Sequence, residues 1–192
     1  MAGDLEGGSA QVHDKARAVL RFWLEETPAE QRFAKDDALD AEIERRFGEW
    51  RNDVLAGGAE GWTDDPVDLL GAIVLLDQFS RNIHRDKARA FEADALALQL
   101  AKLAVAKGCD AGMSGVERQF AYLPFEHSES LEDQRESVRL FTAMGDAEAL
   151  RYALDHAAVI ERFGRFPSRN AALGRVSTAE EQAYLSQPGA GW

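Results

Sequence analysis

The segment Arg162–Arg175 has the composition of a binding site for anions. It holds four arginines and no acidic residue, in a chain whose formal net charge is −12. Guanidinium groups present planar forks of donors that match carboxylates and phosphates. Phe163 and Phe166 alternate with the arginines and would anchor the loop against the fold. The segment therefore predicts an anion clamp. The alternative is a solvated loop whose arginines cap helix carbonyls.

A second polar segment, Asp77–Arg85, follows the longest apolar run of the chain. If the helix continues through this segment, Asp77, Arg81 and Arg85 lie one above another at four-residue spacing. An acid that ends a buried helix needs a partner, and Arg81 is the local candidate. The segment is therefore either part of a binding site or a structural ion pair that closes the helix.

A third polar segment follows Pro124 and places His127 between Glu126 and Glu129. Neighbouring carboxylates favour the imidazolium form of a histidine. Such a residue can act as a general acid and base, or it can be a hydrogen-bonded strut. The role of His156 also has two alternatives. On an apolar helix face it is either a ligand-binding residue or a core histidine whose hydrogen bonds are satisfied.

No common reaction motif is present. The sequence lacks a Walker loop, a dinucleotide glycine fingerprint, His-Glu-x-x-His and Gly-x-Ser-x-Gly. Metal ligation by His84, His127, Glu129 or His156 lacks a diagnostic spacing, so we predict no metal and no cofactor. The single cysteine, Cys109, excludes an internal disulfide and fits a reducing compartment.

The net negative charge limits the classes of molecule that the protein can bind. An acidic surface repels duplex nucleic acid and anionic lipid, but a small anion can still enter one basic pocket. The longest apolar run is far short of the ~20 residues that a membrane span needs, and the N-terminus shows no signal peptide. We therefore predict a cytoplasmic protein without nucleic-acid or membrane partners, whose oligomeric state is open.

The hydrophobic periodicity is helical almost throughout. Residues 1–10 are rich in glycine and predicted to be a disordered tail, and residues 11–188 a single all-α domain. The helices are expected over about Gln11–Glu26, Asp36–Leu55, a buried one from Pro66, Phe91–Lys107, a short one from Ser114 that Pro124 ends, Ser130–Met144, Ala147–Phe163 and a short last one from Ser177. This predicts about eight packed helices in antiparallel pairs, a tetratricopeptide-like array without a strict 34-residue repeat.

Several segments together resemble the bacterial family known as domain of unknown function 924. The matching segments are Val19–Trp23, Leu75–Ile83, Leu123–Glu129 with Gln134, and His156–Arg175 with Ser177 and Thr178. The resemblance implies a tetratricopeptide-like helical fold and a set of motifs, but no reaction. The chain departs from the family at Ser80, where proline is usual. It departs again near Arg32 and Phe33, where the family has a tryptophan before the phenylalanine.

Three functions are consistent with these patterns. The first is a module that binds a small anion or an acidic peptide in one concavity. Its predicted ligand-binding residues are Asp77, Arg81, Asn82, Arg85, His156, Arg162, Arg165, Arg169, Asn170 and Arg175. The second is a hydrolase or transferase in which His127, held by Glu126 or Glu129, is the acid and base for a phosphorylated or carboxylated substrate. The third is a protein-interaction scaffold whose arginines are structural.

Overall fold

A computed structural model describes the backbone of residues 2–191 and the side chains of residues 9–191. Within those residues all regular structure is helical and no strand occurs, which confirms the all-α prediction. The α-helices are α1 (Ala2–Leu20), α2 (Asp37–Ala56), α3 (Pro66–Ile73), α4 (Ser80–Ile83), α5 (Asp94–Ala106), α6 (Gly115–Glu126), α7 (Leu131–Met144), α8 (Ala147–Phe163) and α9 (Ala179–Leu185). A π-helical turn, Val74–Phe79, joins α3 to α4 into one helix, and another, Arg21–Glu26, extends α1.

The contacts group the chain into two compact units. The first unit comprises Met1–Arg85 and Arg89–Pro124, and the second comprises Asp86–Ala88 and Phe125–Trp192. The prediction that residues 11–188 form a single domain concerns whether they fold as one unit, and it stays a prediction.

Local signals set most helix ends where the sequence predicted them. The Asp65 side chain accepts the Val67 N–H and caps α3, with proline at the first helical position. The Asp146 side chain caps α8 in the same way. Gly145 and Gly164 end α7 and α8 with φ of +80° and +69°, a conformation that glycine adopts without strain.

Three helix boundaries differ from the predictions. The backbone of α1 is helical from Ala2 rather than from Gln11, because the segment predicted as a tail holds no proline to stop the helix; Met1 lies outside the described residues. The helix predicted from Phe91 begins at Asp94. Pro124 does not end α6, which continues to Glu126, although proline removes one N–H from the ladder.

The helix formed by α3, the π turn and α4 is the core of the first unit. Its apolar residues Leu69, Ile73, Leu75 and Phe79 are fully buried, as the continuous hydrophobic run predicted. Helices α1, α2 and α5 pack around it. Among the described residues, no helix combines the length and hydropathy required to cross a membrane.

Helix α1 approaches α3 unusually closely at Gly71. A Cβ atom at that position would lie 2.8 Å from the Cβ and 2.9 Å from the Cα of Ala16. Ala16 is itself completely buried. Glycine is therefore required here by the separation of the two helices rather than by the backbone conformation.

The second unit is built on the hairpin of α7 and α8. A loop leads from α8 through a 3-10 turn, Pro167–Arg169, to α9. Val159, Ile160 and Phe166 form a small core, against which Phe163 and Tyr184 pack. The segment predicted as an anion clamp comprises the last two residues of α8 and most of this loop, and its aromatic residues anchor it as expected.

Candidate functional site

The predicted site residues fall into one group in each unit. The first unit contains Asp77, Arg81, Asn82 and Arg85. The second unit contains His127, Glu129, His156, Arg162, Arg165, Arg169, Asn170 and Arg175. A single site formed by both groups stays a prediction.

In the first group Arg81 is held by two carboxylates. Its Nη1 lies 3.0 Å from Oδ1 of Asp77 and 3.1 Å from Oδ1 of Asp94. Asp77 is almost fully buried, and its Oδ2 accepts a hydrogen bond of 2.6 Å from Gln78. This arrangement matches the structural alternative, an ion pair at the end of a buried helix.

Arg85 does not join the stack expected with Asp77 and Arg81. Helix α4 ends at Ile83, so Arg85 leaves the helix face. Its Nε and Nη2 each lie 2.8 Å from the carboxylate of Asp40 on α2. Asn82 donates to the same carboxylate at 2.8 Å. These contacts fix the start of α2 against the end of α4.

In the second group Arg165 forms a two-pronged ion pair with Glu181. Its Nε lies 2.6 Å from Oε1 and its Nη2 lies 2.9 Å from Oε2. Glu181 is buried, and it also accepts the N–H of Thr178 in the capping box that starts α9. The hydrogen bonds from Arg165 and then Thr178 lower the pKa of Glu181 to about 2. Asn170 adds a longer contact of 3.3 Å.

This lowered pKa predicts a loss of stability in acid. The ionised Glu181 contributes fully above its ordinary pKa of 4.5, and the contribution is lost as the pH falls through about 2. We expect the Glu181→Gln variant to be less stable than the parent at neutral pH. The difference in the free energy of unfolding should shrink as the pH falls from 4.5 to about 2. Urea unfolding across that range measures it, with exposed Glu180→Gln as the control for net charge. A difference that stays constant down to the lower value contradicts the prediction.

Glu129 ties the loop to the segment that precedes α7. Its carboxylate accepts from both Nη atoms of Arg175, at 2.8 and 3.0 Å, and from the N–H of Phe166 at 2.8 Å. Partial burial raises the pKa of Glu129, but the bonds from Arg175 and Phe166 outweigh it and leave the pKa below its usual value. Arg162 pairs with exposed Glu180. Three of the four arginines of the segment Arg162–Arg175 therefore bind carboxylates of their own unit.

A histidine cluster forms where α6 ends beside α8; it comprises Glu126, His127, His156, Phe166 and Arg169. His156 Nδ1 lies 3.1 Å from Oε1 of Glu126 and 2.8 Å from the Tyr152 carbonyl, and both side chains of the pair are buried. The rings of His127 and His156 are 6.2 Å apart. Arg169 donates to the His127 carbonyl at 2.9 Å and lies over the Phe166 ring.

Both carboxylates of the enzyme hypothesis have identified partners. Glu126 pairs with His156 and Glu129 pairs with Arg175, and the contact of either carboxylate with His127 stays a prediction. The two residues of α6 beyond Pro124 carry Glu126 to His156, so proline does not act as a helix stop at this position.

Sequence reasoning missed Gln134 as a positioning residue. Its Nε2 donates at 2.7 Å to the carbonyls of Glu126 and Ser128, so it caps the end of α6 from the next helix. The side chain is almost fully buried. A polar residue on the buried face of α7 was the available signal.

One group of side chains in the first unit has the types and spacing of metal ligands. It comprises His13 on α1 with Asp65 and Asp68 at the start of α3. The histidines that the sequence patterns single out are His84, His127 and His156, and His13 is not among them.

The comparisons agree with the resemblance seen in the sequence. Residues 19–189 match the family described as bacterial protein of unknown function, DUF924. A solved structure of a protein of unknown function from Agrobacterium tumefaciens is 35% identical in sequence, with a TM-score of 0.84. The match covers 89% of this chain and 96% of that one. No curated protein matches the chain.

Proposed function

The chain belongs to the DUF924 family of bacterial proteins, and we propose that this member is a binding module for a small anion or an acidic peptide end. The proposed contacts are Arg169 and His127 of the histidine cluster. The buried pair of His156 and Glu126 would orient His127 from beneath. Arg162, Arg165 and Arg175 would hold the loop rather than touch the ligand.

The observation that carries the proposal is the burial of the His156–Glu126 pair next to partly exposed His127 and Arg169. The side chains of His156 and Glu126 are only 7% and 4% exposed. Burying ionisable groups costs free energy unless they are paired and hydrogen-bonded, and such groups concentrate at functional sites. Their neighbours, His127 and Arg169, are the polar side chains of the cluster that reach solvent.

The ion pairs of the loop support the same proposal. Arg165 and Arg175 are each held by a carboxylate through two nitrogen atoms. This bracing leaves the loop little freedom, so Arg169 is presented from a fixed backbone with its guanidinium over Phe166. A pre-organised cation binds an anion at a lower entropic cost than a mobile one.

The test is anion-dependent thermal stabilisation. We expect phosphate, sulfate or a dicarboxylate at millimolar concentration to raise the Tm of the parent, and Arg169→Gln to lose that shift. The matched control is Arg139→Gln on α7, which removes the same charge from an exposed pair with Glu136. Equal shifts in both variants, or no shift in the parent, would overturn the proposal.

One observation favours a second candidate, a protein-interaction scaffold. Three loop arginines are ion-paired, as expected if they serve the fold. The scaffold is preferred if no anion stabilises the parent. For either function we propose a tetratricopeptide-like arrangement of helix pairs and a cytoplasmic location, which the helix pattern and the single cysteine support.

A further inference from the structure

We propose that His13, Asp65 and Asp68 form a binding site for a divalent transition-metal ion such as Zn²⁺. Nδ1 of His13 lies 2.8 Å from Oδ1 of Asp68 and 3.9 Å from Oδ1 of Asp65, and the three ligand atoms all lie within 4.8 Å of one another. Ligand atoms around tetrahedral zinc are about 3.3 Å apart. Small side-chain rotations would therefore bring all three onto one ion.

The backbone that carries these ligands is fixed. His13 lies one turn before Ala16 on α1, and Asp68 lies one turn before Gly71 on α3. The close approach of α1 to α3 at Ala16 and Gly71 thus sets the distance between the two ligands. Ligands held on packed helices retain their spacing better than ligands on loops.

The burial of Asp68 also favours a bound cation. Its side chain is only 6% exposed, and among the described side chains its hydrogen-bond partner is His13. A buried carboxylate with one imidazole partner is costly. A bound cation would supply the missing positive charge.

The ligand set indicates the class of ion. One imidazole with two carboxylates suits Zn²⁺ or Mn²⁺, whereas Ca²⁺ and Mg²⁺ prefer oxygen ligands alone. The side chains of His13 and Asp65 are 37% and 47% exposed, so water can complete the coordination. The positive end of the α3 dipole opposes a cation, but two carboxylates more than balance its half charge.

Isothermal titration with Zn²⁺ tests the site in the parent and in two variants, His13→Gln and Asp65→Asn. We expect the parent to bind Zn²⁺ and both variants to bind it at least about tenfold more weakly, because His13→Gln removes the imidazole ligand and Asp65→Asn replaces a charged carboxylate with a neutral amide. Asparagine retains the capping oxygen, so Asp65→Asn keeps α3 folded even if His13→Gln does not.

The matched control is Asp36→Asn, which makes the same change at the N-cap of α2. This variant should bind Zn²⁺ as tightly as the parent does. Any binding of Zn²⁺ to other histidines is the same in the control and in the parent. Equal binding by all four proteins, no binding by the parent, or equally strong binding of Ca²⁺ would overturn the proposal.

Discussion

Replacing Asp77 with alanine is expected to lower the free energy of unfolding by about 3 kcal/mol. The carboxylate is almost fully buried and is bonded to Arg81 and to Gln78. Breaking one half of a buried pair typically costs about 3–5 kcal/mol. The lower end applies here because Asp94 also contacts Arg81 and would keep it from being unpaired. Urea unfolding of the parent and the variant measures the difference.

Two further variants identify the cause of that loss. Asp94→Ala removes the more exposed partner of Arg81 and should cost less than Asp77→Ala. The double variant should cost more than the sum of the two, because it leaves Arg81 without either carboxylate. If Asp77→Ala melts within a degree or two of the parent, the buried pair does not stabilise the fold.

Gly71→Ala is expected to cost about 1–3 kcal/mol, the range for overpacking a close contact. The new Cβ would overlap the backbone of Ala16, which no side-chain rotation can relieve. The intrinsic helix preference for alanine, worth up to about 1 kcal/mol, acts in the opposite direction. The net loss should therefore appear as a lower midpoint of urea unfolding.

Gly48→Ala provides the matched control, since it makes the same change within another helix. The nearest atom to its added Cβ is a side-chain carbon of Glu44 at 3.7 Å, an ordinary contact. This variant should gain about 0.5–1 kcal/mol from the helix preference alone. Equal effects at the two positions would show that the approach of α1 to α3 tolerates a methyl group.

The sequence predicted those parts of the fold that depend on neighbouring residues. The short helix predicted from Ser114 begins there, where Ser114 and Glu117 form the two hydrogen bonds of a capping box, at 2.7 and 3.3 Å. Helix α8 was predicted to the residue, because Asp146 and Gly164 act on the adjacent turns. Each of these signals lies within a few positions of the helix end that it sets.

Partners far apart in the sequence could not be predicted in this way, although the local pair of Asp77 and Arg81 could. Arg175 pairs with Glu129, 46 positions away, and His13 with Asp68, 55 positions away. The arginine segment was interpreted as an anion clamp because it contains no acid. Its acids come from elsewhere in the chain, and only the packing of helices brings them to it.

The π-helical turn Val74–Phe79 gives the central helix one residue more than α-helical winding requires. Removing a residue elsewhere in that helix would rotate everything after it by about 100°, and Arg81 would leave its carboxylates. Removing one from this turn would restore α-helical winding and keep Arg81 on its face. The turn therefore gives the helix a local tolerance to a change in length. Alignments with relatives whose helix is α-helical throughout should place a one-residue gap there.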